Sequence, residues 1–115
     1  MLRSSVIDAR LSQRDSDCIG ECLTAFAYGP FIPDTDFSTV SGLNRNQIKC
    51  VADGWPAPIV DPNIVERAVR SALNNLSGYP ITKAHLEMMS EYISVEREQL
   101  RPLLLRYIKT LEADG

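Results

Sequence analysis

The sequence contains few of the residues on which catalysis depends. It has a single histidine, His85, and only three cysteines. A Ser-His-Asp or Cys-His triad would have to use that histidine, and no nucleophile motif lies near it. The glycines Gly42 and Gly54 are isolated, so the chain has no glycine-rich phosphate loop. We therefore expect a non-enzymatic protein with no catalytic residues and no cofactor.

The few cysteines also argue against a metal site. Cys18 and Cys22 are four residues apart and would share one helix face, and with Cys50 and His85 they offer the ligand types of a Cys₃His zinc site. However, the four are scattered singly, without the paired Cys-x₂-Cys spacing. The better interpretation is buried free thiols that pack as small apolar groups, in a reducing compartment, with no metal bound.

Long apolar runs are missing as well. No segment approaches the ~18 residues that cross a bilayer. The N-terminal segment 1–8 lacks the apolar core and cleavage site of a signal peptide. We expect a cytoplasmic protein without a membrane partner, and the 115 residues fit one domain.

Basic residues are absent from one long stretch. No Lys or Arg occurs between residues 15 and 44, and the whole chain carries a formal net charge of −3. Nucleic-acid binders need a basic face, so this balance disfavours them. The stretch is either an ordinary solvated surface or a surface that attracts a basic partner. Its acids are Asp15, Asp17, Glu21, Asp34 and Asp36.

Helical periodicity and capping signals predict the fold. Apolar residues recur at helical spacing, and no stretch alternates apolar and polar residues as a strand does. The predicted helix starts are Asp15 or Ser16, Asp34, Asn44 with Gln47 as a capping box, Asp61 before Pro62, Thr82, and Ser94. The sequence thus predicts an all-α, compact single-domain bundle of five or six helices with short Pro/Gly-containing connectors. Residues 15–115 form this domain, and residues 1–14 form an irregular or partly ordered N-terminal segment.

Individual positions carry further expectations. Leu86 is assigned to the inner face of the helix after Thr82, together with Met89 and Ile93. Asn74 and Asn75 lower helix propensity, and we expect their amides to bind backbone groups of the proline-containing connectors. Around the connector at 29–34, some of the side chains Tyr28, Phe31, Ile32 and Phe37 should enter the core. Any of these side chains that stays exposed would form an apolar centre ringed by acids, as at interaction hot spots. Phe31 is the one that we expect to contact a partner.

Two segments carry a resemblance. One runs Gly29-Pro30-Phe31-Ile32-Pro33-Asp34, through Gly42-Leu43-Asn44-Arg45, to Trp55-Pro56. The other runs from Ala68 to Pro80, with the letters AVRSALNNLSGYP. Together they resemble a family of small uncharacterised bacterial proteins over about half the chain. The resemblance implies no catalytic residues, and an immunity-protein role, in which the chain neutralises a toxin, comes by analogy only.

Three functions remain open. The first is a protein-binding module, such as an immunity or antitoxin-like inhibitor of a basic partner, bound through Asp15, Asp17, Glu21, Phe31, Asp34 and Asp36. The second is a helix-turn-helix DNA-binding regulator that reads bases with Arg45, Asn46, Gln47 and Lys49. The third is a homo-oligomeric structural protein that pairs through the apolar stripe of residues 100–111.

Overall fold

A computed structural model describes residues 12–78 and 81–114, and the helices account for most of them. They are α1 Gln13–Tyr28, α2 Asp34–Ser41, α3 Arg45–Gly54, α4 Pro62–Gly78, α5 Lys83–Met89 and α6 Leu100–Asp114, with a 3-10 helix at Arg97–Gln99 before α6. No strand occurs among these residues. The predicted all-α bundle with short connectors is confirmed. None of the described helices is long and apolar enough to cross a membrane.

Helix α4 packs against α1, α2, α3 and α6, and α1 packs in addition against α3. The side chains that meet there are fully buried, including Ile19, Leu23 and Phe26 of α1 and Tyr107 of α6. Three leucines of the 100–111 stripe join this core, since Leu100, Leu103 and Leu104 are buried. The stripe is therefore used mainly inside the chain.

Gly20, in the middle of α1, has a packing role. The indole of Trp55 lies against it, and a Cβ at this position would stand 2.9 Å from Trp55 Cδ1. The indole Nε1 donates to the carbonyl of Ser16, at 2.9 Å. A glycine costs helix propensity in a helix interior, and here it allows the ring to reach the α1 backbone.

Three of the six predicted helix starts, at Asn44, Asp61 and Thr82, are confirmed, and Asp34 is the first residue of α2. The capping box of α3 is complete, because Asn44 Oδ1 accepts from Gln47 N at 2.8 Å and Gln47 Oε1 accepts from Asn44 N at 2.9 Å. Thr82 caps α5. Helix α1 begins at Gln13 with Ser12 as its cap, ahead of the predicted start at Asp15 or Ser16. Residues 1–11 lie outside the described part of the chain.

The predicted start of the last helix at Ser94 is wrong. Helix α5 ends at Met89, turns follow, and the 3-10 helix leads into α6 only at Leu100. Both polar groups of Ser94 are bound by Glu21, so its hydroxyl does not cap a helix. Pro102 falls in the first turn of α6, where its missing N–H has no intrahelical partner to lose.

The connector between α1 and α2 is bound by Arg45, at the first position of α3. Its Nη1 donates to the carbonyls of Ala27 at 3.1 Å and Phe26 at 3.4 Å, and its Nη2 donates to that of Ile32 at 3.1 Å. The guanidinium also lies 4.2 Å from the ring centroid of Phe37. Arg45 thus binds the connector to the start of α3. Asn75 Nδ2 donates to Ser71 O within α4.

Candidate functional site

Asp15, the first of the predicted partner-binding acids, joins two helices of the bundle. Arg106 of α6 binds its carboxylate with two hydrogen bonds, Nε to Oδ2 at 2.8 Å and Nη2 to Oδ1 at 2.9 Å. The hydrogen bonds and the carboxylate charge raise the pKa of Arg106. Because both oxygens are engaged within the chain, Asp15 contributes to the α1–α6 contact.

Glu21 lies two turns further along α1 and binds the segment after α5. Its Oε1 accepts from the backbone N and the hydroxyl of Ser94, both at 3.0 Å. Asp17, one turn before Glu21, is exposed and accepts from Gln13 Nε2 at 2.8 Å. Of these two acids, Asp17 is thus the one that faces solvent.

Asp34 and Asp36 lie beyond the other end of α1. Asp36 is partly exposed in the first turn of α2, next to Phe37, whose ring stacks on Phe26 at 4.6 Å. Asp34 is the first residue of α2, and its side chain lies outside the described part of the structure. The 16 residues of α1 span about 24 Å, so these two acids are well separated from Asp15 and Asp17. The acidic stretch of the sequence does not form one surface.

Phe31 is in the core rather than at the surface. Its side chain is 3% exposed. The ring meets Tyr92 edge-on at 5.6 Å between centroids and His85 at 6.1 Å. Phe31 therefore attaches α5 and the turn after it to the α1–α2 connector. Tyr28 is the exposed aromatic of this region, and its hydroxyl donates to Asp53 at 2.8 Å.

A groove of about 510 Å³ opens beside α5, between that helix and the 3-10 helix. Its floor contains Met89 and Ile93, which are 5% and 3% exposed, and Leu86 lies at its edge, 38% exposed. The prediction that Leu86 faces the interior is therefore wrong, because α5 is short and buries only Met89 fully. We name this feature the α5 groove, and its lining residues are Leu86, Met89, Ser90, Ile93, Ser94, Val95, Glu96, Arg97 and Glu98.

Exposed carboxylates lie at and near the α5 groove. Glu96 and Glu98 line it, and Glu87 and Glu91 are exposed next in sequence to its lining residues Leu86 and Ser90. Among the described lining residues Arg97 is the one that is basic, and its Nε donates to Leu76 O at 2.7 Å. Through Ser94, the groove also adjoins Glu21. An apolar floor with an acidic rim can hold an apolar side chain flanked by positive charges.

Sequence reasoning missed this site, although a signal was present. The segment 86–98 holds four glutamates, at positions 87, 91, 96 and 98, against one basic residue. The acids of residues 15–44 drew attention first because that stretch lacks Lys and Arg altogether. The structure shows that Asp15 and Glu21 are bound within the chain, whereas the glutamates of segment 86–98 face solvent, with exposed side chains at all four positions.

A second cavity, of about 460 Å³, lies between α1 and α6, with Arg14, Cys18, Pro102 and Arg106 among its lining residues. A hydrogen bond from the Cys22 thiol lowers the pKa of Cys18, with the charge of Arg106 acting in the same direction. The same hydrogen bond and burial raise the pKa of Cys22. All three cysteines are free. Among the described residues, no three His, Cys, Asp or Glu side chains are grouped so as to hold a metal ion.

Helices α2 and α3 have the lengths and the turn of a helix-turn-helix. Eight residues of α2 are followed by Gly42, whose φ of +72° is the left-handed conformation that glycine adopts readily, and then by α3. However, Arg45 binds the connector, and Gln47 completes the capping box. Lys49 lies over the Tyr28 ring, at 5.1 Å from the centroid.

No protein-family model matches the chain, and no curated protein or solved structure shows significant similarity to it. The fold and the groove define the class of protein. It is a small all-α protein with a groove on its surface that has an apolar floor and an acidic rim.

Proposed function

We propose that the chain is a non-enzymatic protein-binding module, and that its partner is a basic protein held at the α5 groove. The observation that carries the proposal is the joint presence of an exposed Leu86, an apolar floor and a glutamate rim at one place. Exposed apolar surface ringed by charge is the arrangement found at the energetic centres of protein interfaces.

The groove and its rim have different tasks in this mechanism. The glutamates attract a basic surface over about a Debye length, which is roughly 8 Å at physiological salt, and so raise the association rate. Burial of a leucine-sized side chain then contributes about 1.5–3 kcal/mol and slows dissociation. Asp17 adds an exposed negative charge at the start of α1. Asp15, Glu21 and Phe31 make contacts within the chain and hold the neighbouring segments in place.

The most concrete form of this function is an immunity or antitoxin-like inhibitor. A toxin that acts on nucleic acid needs a basic surface to bind its substrate. An acidic protein that covers such a surface excludes the substrate without any chemistry of its own. The net charge of −3 and the acidic rim support this form of the proposal.

Capture from a lysate of the cells that make the protein tests the proposal. The tagged full chain is compared with the double variant Glu96→Gln/Glu98→Gln and with the control Glu66→Gln, whose carboxylate pairs with Arg70 on α4. The expected result is one stoichiometric basic protein, retained by the wild type and the control, and lost from the double variant or at high salt. Equal capture by all three baits would contradict the proposal.

A second candidate is a DNA-binding regulator, which the α2–Gly42–α3 geometry favours. Of its four predicted base-reading residues, Arg45 and Gln47 are engaged within the chain, and Asn46 is exposed. A mobility-shift assay at low salt with random-sequence duplex tests it. Retardation that disappears in Asn46→Ala/Lys49→Ala would support this candidate, and no retardation would exclude it.

A further inference from the structure

We infer that the occupant of the α5 groove is a short amphipathic helix of the partner, with an apolar ridge between lysine or arginine residues. This inference rests on the proposed function, and it names the kind of segment that the groove accepts. Three features support the inference: the apolar row, the backbone around the groove and the position of the carboxylates.

An apolar row runs along the groove, from Leu86 at its edge to Met89 and Ile93 in its floor. Leu86 and Met89 are three residues apart on α5, and Ile93 continues the row because its N–H donates to the Met89 carbonyl at 2.9 Å. At 1.5 Å per residue the row is about 10 Å long, the length of two helical turns. A partner helix with apolar residues at i, i+3 or i+4, and i+7 would cover this length.

The backbone around the groove also favours a helix. An extended peptide binds either by adding a strand to an open sheet edge or, as a polyproline II segment, in a groove lined by aromatic residues, and none of the described lining residues is aromatic. The described residues contain no strand, so no such edge flanks the groove. Met89, in the floor, has an unbranched and polarisable side chain that adapts to different apolar neighbours. The groove therefore suits an occupant that forms its own backbone hydrogen bonds, as a helix does, and that binds through its side chains.

Exposed carboxylates accompany the row. Glu96 and Glu98 line the groove, and Glu87 and Glu91 are exposed along and just after α5. Arg97 also lines the groove, and its Nε donates to Leu76 O at 2.7 Å, so the described lining carries two carboxylates and one guanidinium. A partner helix whose apolar ridge is flanked by basic residues would meet this net negative charge.

Binding of designed peptides to the full-length protein tests the inference. The probe is a fluorescein-labelled 15-residue peptide of leucine and lysine, with the leucines on one helix face. One control has the same composition with the leucines spread around the helix, and another has glutamate for each lysine. Fluorescence anisotropy gives the affinity, and circular dichroism reports helix formation on binding. The one-faced basic peptide should bind and become helical, and both controls should bind at least tenfold more weakly.

Variants of the protein locate the binding. Leu86→Ser should weaken binding of the one-faced peptide about tenfold, because it removes the exposed apolar side chain at the edge of the groove. Leu105→Ser, at a leucine of α6 that is more exposed than Leu86, should leave the affinity unchanged. In the double variant Glu96→Gln/Glu98→Gln, the affinity for the one-faced peptide should change less with salt concentration. Equal binding of the two leucine-lysine peptides, or an unchanged affinity in Leu86→Ser, would overturn the inference.

The two proposals fail differently. If no peptide binds, but the lysate partner is still lost from Glu96→Gln/Glu98→Gln, the groove binds a basic protein through something other than a helix, and only this inference is overturned. If partner capture is also indifferent to that variant, the proposed function fails with it.

Discussion

Arg45 is the side chain that holds the irregular part of the fold together. Its guanidinium donates to carbonyls at the end of α1 and in the connector at once, namely those of Phe26, Ala27 and Ile32. It also stacks on Phe37. A planar guanidinium with five donors can serve several acceptors together, and the ammonium of lysine cannot reproduce that geometry.

Replacing Arg45 by methionine should therefore destabilise the protein by about 2–3 kcal/mol, because backbone acceptors lose a charged donor. Urea denaturation followed by circular dichroism measures this free energy of unfolding. Arg45→Lys, which keeps the charge and loses the fork of donors, should fall between the wild type and Arg45→Met. A methionine variant as stable as the wild type would show that water replaces the guanidinium at no cost.

The Cys18–Cys22 pair yields a prediction about pH. The hydrogen bond from Cys22 lowers the pKa of Cys18, so Cys22→Ala should move that pKa upward, toward the ordinary thiol range. Less thiolate would then be present near neutral pH, and Cys18 would react more slowly with iodoacetamide there. Mass spectrometry of alkylated peptides over a pH series gives the titration, in a Cys50→Ser background that removes the exposed thiol.

Cys22→Ser is the matched control for this measurement. A serine hydroxyl still donates a hydrogen bond, so the pKa of Cys18 should stay low in that variant. Identical Cys18 titration curves in the alanine and serine variants would mean that the hydrogen bond from position 22 has no influence on Cys18.

Among the helices, those with local start signals were predictable from the sequence. The capping box at Asn44 and the pair Asp61-Pro62 involve residues within three positions of each other, and the structure has both. Ser94 also has the local sequence pattern of a helix cap. However, both of its polar groups are bound by Glu21, 73 residues away, and no local pattern reveals that partner.

The candidate site was predictable only in part, for a related reason. The acids of α1 are visible in the sequence, but whether an acid faces solvent depends on distant residues, as the bond between Asp15 and Arg106 shows. Leu86 has the spacing of a core residue with Met89 and Ile93. It lies at the surface, 38% exposed, because α5 ends at Met89 and no element in the described part of the chain covers this side chain completely.

Phe31 determines how α5 is attached, and its truncation should act on that helix. Phe31→Ala should destabilise the chain by about 3–5 kcal/mol, since it removes a buried ring with two edge-on aromatic neighbours. Hydrogen exchange should show the largest loss of protection in residues 83–95. Phe31→Leu, which keeps most of the apolar volume, is the control. Uniform loss of protection in all helices would contradict a specific attachment of α5.

For the molecule as a whole, the acids divide into two groups with different expected effects. Asp15→Asn should lower the free energy of unfolding by up to about 1 kcal/mol, because its partner Arg106 is half exposed, and should leave partner association unchanged. Glu96→Gln/Glu98→Gln should leave stability unchanged and slow association about tenfold at low salt. Thermal unfolding and stopped-flow binding to the captured partner measure the two quantities. An effect of Asp15→Asn on association equal to that of the double variant would contradict this division.

The most direct measurement is a hydrogen-exchange footprint of the full chain with and without its captured partner. We expect protection to increase in residues 83–98, around Leu86 and the glutamate rim, and to be unchanged in α3. Protection centred on α3, or none in residues 83–98, would contradict the claim that the α5 groove is where the protein binds.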